Sequence, residues 1–418
     1  MPEKGSSWEE IREALIHAGR NDVDWRDART AVYVFNPGAD VLQVAKDAYA
    51  LYQSENGLGL AAFPSLKEME QDVVGMGLRL LNAPAESCGN ITSGGTESIV
   101  LAVKACRDQA AAAGRDVAGG RIVVPRSAHP AFDKAAHYLG LEVVRVPVAK
   151  DFTADVDAMA EAIDAKTLML VGSAPCFPYG VVDPIAQLGE VAEAKELWLH
   201  VDACVGGYFA PFARMNGVTL PDFDFSVPAV RSMSADLHKY GYAAKGASTV
   251  FHRSEEQRAF QGFTFDDWPA GGMSTPTFAG TRPGGAFASA WAVMHYLGVE
   301  GYCEKARQVT DTRTRLMAAI NGIDGLHTYG DPQLGLFAYG AEQVNIFAIW
   351  GQLKARGWFT GVITEPLGIH LMLSPAHADV VDEYIRDLKN ALASVSSIDK
   401  TDKIDKTDKT GDDTPSYN

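Results

Sequence analysis

Between residues 85 and 255 the chain alternates between two hydrophobic patterns. Short runs of mostly branched apolar residues, "RIVVP" (121–125), "EVVRVPV" (142–148), "TLMLVGS" (167–173), "LWLHVD" (197–202) and "STVFHR" (248–253), form the first. Between them lie longer stretches whose apolar residues have helical spacing, such as "ESIVLAVKACRDQAAAAG" (97–114) and "DPIAQLGEVAEAKE" (183–196). The short runs predict strands buried on both faces, and their alternation with helices predicts a mainly parallel α/β sheet. In such sheets ligands gather beyond the C-terminal ends of the strands. The loops that leave these strands are therefore where chemistry is expected.

From about 290 to 395 the pattern turns to helices with a few strands. "EQVNIFAIW" (342–350) and "IHLMLS" (369–374) read as strands, and "HADVVDEYIRDLKNALASV" (377–395) as an amphipathic helix. The expected organisation is an N-terminal helical arm over 1–60, a large α/β domain over 61–310 and a small C-terminal α+β domain over 311–397. From Ile398, "IDKTDKIDKTDKTGDD" repeats Asp-Lys every third residue, a period of neither helix nor strand, and 398–418 reads as a disordered tail.

A chain of 418 residues with 47% hydrophobic and 22% charged residues has room for one large core and a satellite domain. Its formal net charge of −16 argues against a nucleic-acid partner. No apolar run approaches the ~20 residues that cross a bilayer. The charged start lacks the apolar segment of a signal peptide, so the expected location is the cytoplasm. The five cysteines are scattered, with no C-x-x-C pair, which fits reduced thiols better than a disulfide framework or a zinc site.

Four local features carry candidate chemistry. "TSGGTES" (92–98) precedes a helix; its glycines allow close backbone approach, and the free N–H groups of the helix start can hold an anion, with Ser93 and Thr96 adding hydroxyls. It is no Walker loop, because no Lys-Ser/Thr follows the glycines. "HVDACVGGYF" (200–209) puts Asp202 at the end of an apolar strand, and "SAHPAFDKAAHYLG" (127–140) puts His129 in the loop after another. "SADLHKYGYAAKG" (234–246) carries His238, Lys239 and Lys245 among small residues. Each has a plain reading: a turn, an N-cap, a structural histidine, a solvated basic loop. Together, an anion cradle, a carboxylate, an imidazole and an amine are what pyridoxal 5'-phosphate requires. Lysine supplies the Schiff-base amine, the carboxylate keeps the pyridine nitrogen protonated, and the imidazole lies over the ring.

The stretches "TSGGTESIVLAVKACRD", "AHPAFDKAAHYLG", "GSAPCFPYGVVDPI", "HVDACVGGYFAPF", "SADLHKYGYAAKGASTV" and "TPTFAGTRPGGAFASAW" closely resemble the sphingosine-1-phosphate lyase family. That family belongs to the fold-type I pyridoxal phosphate enzymes (aspartate aminotransferase-like) and is related to the group II amino-acid decarboxylases. The resemblance spans roughly residues 30–310. It implies that Lys239 is the Schiff-base lysine, Asp202 the partner of the pyridine nitrogen and His129 the ring-stacking residue. It also implies that Gly95, Thr96 and His238 contact the cofactor phosphate. Thr281, before "RPG", would reach the cofactor of a neighbouring subunit, which implies a homodimer with shared sites. Lys245 matches a second lysine beside the reacting centre and the substrate's polar head.

One departure bears on the substrate. The animal lyases carry an "NPLHPDxFPG"-like segment whose histidine helps bind the substrate phosphate; here the stretch is "NGLGLAAFPS" (56–65), with Gly59 at that position. Loss of a charge-assisted contact costs ~1.5–3 kcal/mol, about one to two powers of ten in affinity. The N-terminal membrane span of the animal enzymes also has no counterpart. The resemblance thus implies a carbon–carbon lyase of the aldehyde-lyase type acting on a phosphorylated or otherwise polar 2-amino-3-hydroxy compound. An amino-acid decarboxylase stands as the alternative, and an aminotransferase or a non-catalytic cofactor-binding protein as remoter ones. Cys204, two residues beyond Asp202, reads as packing.

Overall fold

The computed structural model describes residues 1–398. The segment read as a disordered tail therefore lies, apart from its first residue, outside the described residues.

Seven strands form the central sheet: β1 (Cys88–Thr92), β2 (Arg121–Pro125), β3 (Glu142–Val146), β4 (Thr167–Ser173), β5 (Trp198–Asp202), β6 (Val230–Ala235) and β7 (Ser248–His252). Their spatial order is β1-β7-β6-β5-β4-β2-β3. Every pairing from β3 to β6 is parallel, and β7 alone runs against its two neighbours. The expected mainly parallel sheet is thus present, and each quoted apolar run is one of its strands.

Strand periodicity sends alternate residues to opposite faces, and both faces are buried. Val123, Leu170, Leu199, Val201 and Met233 join one core with helix Ile185–Ala194. Ile122, Val124, Met169, Val171 and Trp198 join a second with helices Gly95–Ala112 and Ala131–Leu139. This two-faced burial explains why the strands read as unbroken apolar runs.

A smaller five-stranded sheet is built from Thr30–Ala31, Phe359–Thr364, Leu367–Met372, Leu336–Ala341 and Leu326–Thr328, in that spatial order. The stretch 1–60, read as a helical arm, therefore also contributes a strand: Thr30–Ala31 pairs in parallel with Phe359 and Thr360. Helix Gly284–Asn321, interrupted at Gly298, runs from the large unit into the small one. The stretch 342–350 differs from its expected strand, because helix Ile346–Lys354 occupies most of it. Asn345 caps that helix by accepting the Phe347 N–H at 2.9 Å, and Ile346, Ile349 and Leu353 bury one helical stripe. The apolar run was too short to separate the two periods, and the asparagine at its head decides the outcome.

Candidate active site

Strand register alone gathers the candidate residues. Ser173 lies beside Asp202, Asp202 beside Ser234, Ala235 beside Thr249, and Thr92 beside Ser248. The C-terminal ends of β1, β4, β5 and β6 thus share one edge, and the antiparallel β7 begins there. The segment 236–247 leaves that edge and returns to it, carrying Lys239 over a cleft of about 450 Å³. Gly95, Thr96, His129, Asp202, His238 and Lys239 all line this cleft, a volume in the range of small-molecule sites.

Lys239 holds an ion pair that sequence reasoning missed: its Nζ lies 2.9 Å from Oδ2 of buried Asp236. Burial works to lower the lysine's pKa, but the acidic groups around it, Asp236 foremost, together outweigh burial and raise the pKa above the usual value. Burial likewise works to raise the pKa of Asp236, and Lys239 with His238 brings it below the ordinary range. The amine is thus stored as ammonium and its partner as carboxylate. The available signal was that Asp236, like Asp202, is an acidic residue at the end of an apolar strand.

Asp202 is held by two donors on one oxygen. Its Oδ1 accepts the Cys204 N–H at 3.0 Å and the Ser234 hydroxyl at 3.2 Å. His129 is oriented by the Ala131 N–H, which donates to its Nδ1 at 3.1 Å. Burial lowers the His129 pKa, with Asp202 opposing the shift, so the ring is neutral at neutral pH. Helix Gly95–Ala112 points its first N–H groups at the cleft. Glu97 braces that turn, accepting the Ser93 N–H and hydroxyl at 2.6 Å each and the Phe278 N–H at 2.8 Å.

The residues present fit pyridoxal phosphate on three observations of this structure. His238 lines the cleft; among the described residues its buried Nδ1 has no hydrogen-bond partner, and burial lowers the ring's pKa, so the imidazole is neutral with a polar atom unused. Gly95 has no room for a side chain: a Cβ there would lie 2.7 Å from Cys204 Sγ and 2.9 Å from each oxygen of Asp236. The third observation is the donor set itself, an amine, a carboxylate and a helix start around one cavity.

Two expected residues lie elsewhere. Lys245 is not in the cleft lining; its Nζ donates to the carbonyls of Tyr33 at 3.2 Å and His238 at 3.3 Å. Thr281 is exposed and also outside the cleft. Its neighbour Arg282 is buried in a two-pronged ion pair with Glu70, with Nη2 3.1 Å from Oε2, and also donates to the Ile91 carbonyl at 3.0 Å. Gly59 sits in a turn closed by Asn56, whose Oδ1 accepts its N–H at 3.3 Å. Tyr240, next to Lys239, shares the one hydrogen of its buried hydroxyl between the carbonyls of Gly335 (3.0 Å) and Leu373 (2.7 Å) in the small unit.

A second cavity of about 620 Å³ shares His129 and Phe177 with the cleft. Its walls include Val32, Phe359, Ile363 and Trp350, and an exposed ion pair joins Arg126 to Glu365 at 2.6 Å. Among the described residues no cluster of three His, Cys, Asp or Glu could hold a metal, and no helix is long and apolar enough to cross a membrane.

Residues 1–340 match the pyridoxal-dependent decarboxylase conserved domain. The sphingosine-1-phosphate lyase of Arabidopsis thaliana is 39% identical over 403 residues, covering 94% of this chain and 74% of the relative. Sphingosine-1-phosphate lyase 1 of Mus musculus is 38% identical over 398 residues, covering 94% and 70%. Among solved structures, the sphingosine-1-phosphate lyase of Burkholderia pseudomallei K96243 superposes with a TM-score of 0.91 at 34% identity, covering 96% of this chain and 94% of that one. Lactobacillus brevis glutamate decarboxylase, at 20% identity and a TM-score of 0.82 over 94% of each chain, shares the fold.

Proposed function

The chain belongs to the sphingosine-1-phosphate lyase family of pyridoxal phosphate enzymes, and on that premise we propose that it cleaves the Cα–Cβ bond of a phosphorylated long-chain 2-amino-3-hydroxy compound, releasing an aldehyde. The observation that carries this reading is the single cleft in which Lys239, Asp202, His129 and the start of helix Gly95–Ala112 converge. When bound, pyridoxal phosphate supplies a carbonyl for an amine to join and a ring that takes up the electrons of a breaking bond.

Lys239 is the amine that holds the cofactor, and Asp202 keeps a proton on the pyridine nitrogen. His129 covers one face of the ring. The N–H groups of Gly95 and Thr96, with His238, hold the phosphate. Asp236 would hold the Lys239 amine in place at the cleft through their ion pair. To serve the polar head of the substrate, Lys245 would have to leave the Tyr33 and His238 carbonyls that its Nζ holds outside the cleft lining. The chain of carbons beyond Cβ follows the second, largely apolar cavity past Phe177, which suits a lipid-like amine better than a short amino acid.

The working form is a cytoplasmic homodimer in which Thr281 serves the partner's site. Supporting this are the exposure of Thr281 and the apolar surface of the segment that leads to it: Phe263 is 57%, Trp268 53% and Phe278 62% exposed.

Mass spectrometry of products, with cofactor-loaded protein and sphingosine-1-phosphate, tests the reading. A long-chain aldehyde with phosphoethanolamine from the parent protein, and neither from Lys239→Ala, is the expected result. Carbon dioxide from an amino acid panel, with no aldehyde, would replace this reading by that of a decarboxylase. No turnover with cofactor bound would mean that Gly59 marks a different amine.

A further inference from the structure

Trp198, His200 and Asp202 alternate along β5, while Ser232 and Ser234 alternate along β6. Register places His200 beside Ser232 and Asp202 beside Ser234. All five side chains therefore stand on one face of the sheet, the face covered by helix Gly95–Ala112. Each is at most 8% exposed, and four are at most 2%. A purely structural role in a core strand calls for apolar residues here, as on the opposite face. Instead the structure spends five polar-bearing positions, and each is satisfied by the next.

The hydrogen-bond distances give the row a direction. Trp198 Nε1–H can only donate, and it meets Ser232 Oγ at 2.7 Å. Ser232 then has its own hydrogen for His200 Nδ1, at 2.8 Å. Burial lowers the His200 pKa to about 4, with Asp202 opposing, so the ring is neutral. With Nδ1 accepting, its one proton is on Nε2, which faces Ser234 Oγ at 3.4 Å. The Ser234 hydroxyl hydrogen is left for Asp202 Oδ1 at 3.2 Å. Every donor in the row thus points toward the carboxylate, and no hydrogen has to be shared or reversed.

We propose that Ser234 and His200 are positioning residues that act on the cofactor through Asp202: the oriented row pins Oδ1, with the Cys204 N–H as second pin, and so presents Oδ2 to the pyridine nitrogen. The carboxylate cannot turn without breaking both donors, which keeps Oδ2 as the oxygen turned to the ligand. Ser234 also chooses its acceptor because His200 occupies its lone pair. This rests on the reading of Asp202 as the partner of the ring nitrogen.

The test is an absorbance titration of the apoprotein with pyridoxal phosphate, followed by a pH titration of the visible band of the loaded protein. The set is the parent, Ser234→Ala, Ser234→Thr, His200→Gln and Asp202→Asn, with melting of each apoprotein as fold control. Ser234→Ala should weaken cofactor binding about ten-fold, the size of a lost hydrogen bond to a charged group, and shift the pH midpoint of the band. Ser234→Thr, which keeps the hydroxyl, should restore both, and His200→Gln should fall between. Unchanged affinity and spectrum in Ser234→Ala, with altered values in Asp202→Asn, would overturn the row's role and leave Asp202 in place. Unchanged values in Asp202→Asn would overturn the assignment of Asp202 itself. Should Ser234→Ala not fold, Ser234→Cys, of similar volume but a weak donor, is read by the same criteria.

Discussion

Asp183 is fully buried beneath the site, where its carboxylate accepts the N–H of Ser173 at 2.7 Å and that of Ala154 at 2.8 Å. It thereby joins the end of β4 to the segment that follows β3. Burial pushes its pKa up to about 7, against the lowering effect of those two donors. A carboxyl whose pKa is raised on folding favours the fold while protonated, so its contribution is full below about pH 4 and is lost as pH rises to about 7. His200, His252 and His370, lowered by burial to about 4, act oppositely: their contribution is present above their ordinary value and lost on acidification. The two trends overlap, so the whole-protein curve mixes them. The difference between parent and Asp183→Asn isolates the carboxyl: urea denaturation from pH 4 to 7 should show the parent losing stability relative to the variant. Asp183 was invisible in the sequence because it heads the helix-spaced stretch "DPIAQLGEVAEAKE" (183–196) and nothing local marks it; only the β4 backbone above it gives the residue its meaning. Asp202 was legible for the opposite reason, since its place at a strand's end follows from local pattern alone.

Elements repeat that division. Every strand of the large sheet after the first was readable as a short apolar run, apart from β6, whose serines on one face broke the pattern and which was not singled out. Helix Ile346–Lys354 was misread because nine residues carry too little period to outvote their β-prone composition. Glu70 lies in the middle of helix Pro64–Leu80, a position not singled out from the sequence. In the fold it accepts the Ile91 N–H at 2.9 Å and pairs with Arg282, 212 residues away, at side-chain exposures of 10% and 4%. Removing one partner of such a pair leaves a buried charge uncompensated, a loss of about 3–5 kcal/mol. Arg282→Ala should therefore lower the unfolding free energy by that amount in urea denaturation. The loss should be smaller when Glu70→Ala is made as well, because the stranded carboxylate is then gone.

At the scale of the whole molecule, helix Trp8–Ala18 stands apart. It has a complete capping box, Ser7 with Glu10, yet none of its residues is buried. Trp8, Ile11 and Leu15 form an apolar stripe at helical spacing, with exposures of 63%, 43% and 61%. Eleven residues are too few for a stable helix in water without tertiary support. A second copy of the chain is the partner that the proposed dimer supplies. Leu15→Asp should shift the molecular mass measured by light scattering from twice 44.9 kDa toward a single chain as protein concentration falls, while the parent stays paired.

The anchoring of Tyr240 has a mechanical consequence. Its hydroxyl is seated between the Gly335 and Leu373 carbonyls of the small sheet, and its backbone adjoins Lys239. The span that carries this lysine has both abutments, Ala235 and Ser248, on the same rim of the large sheet. A span fixed at both ends and bolted at its middle to a second body works as a tie rod. The small sheet therefore cannot shift at Gly335 and Leu373 without either moving Tyr240, next to Lys239, or breaking that anchorage.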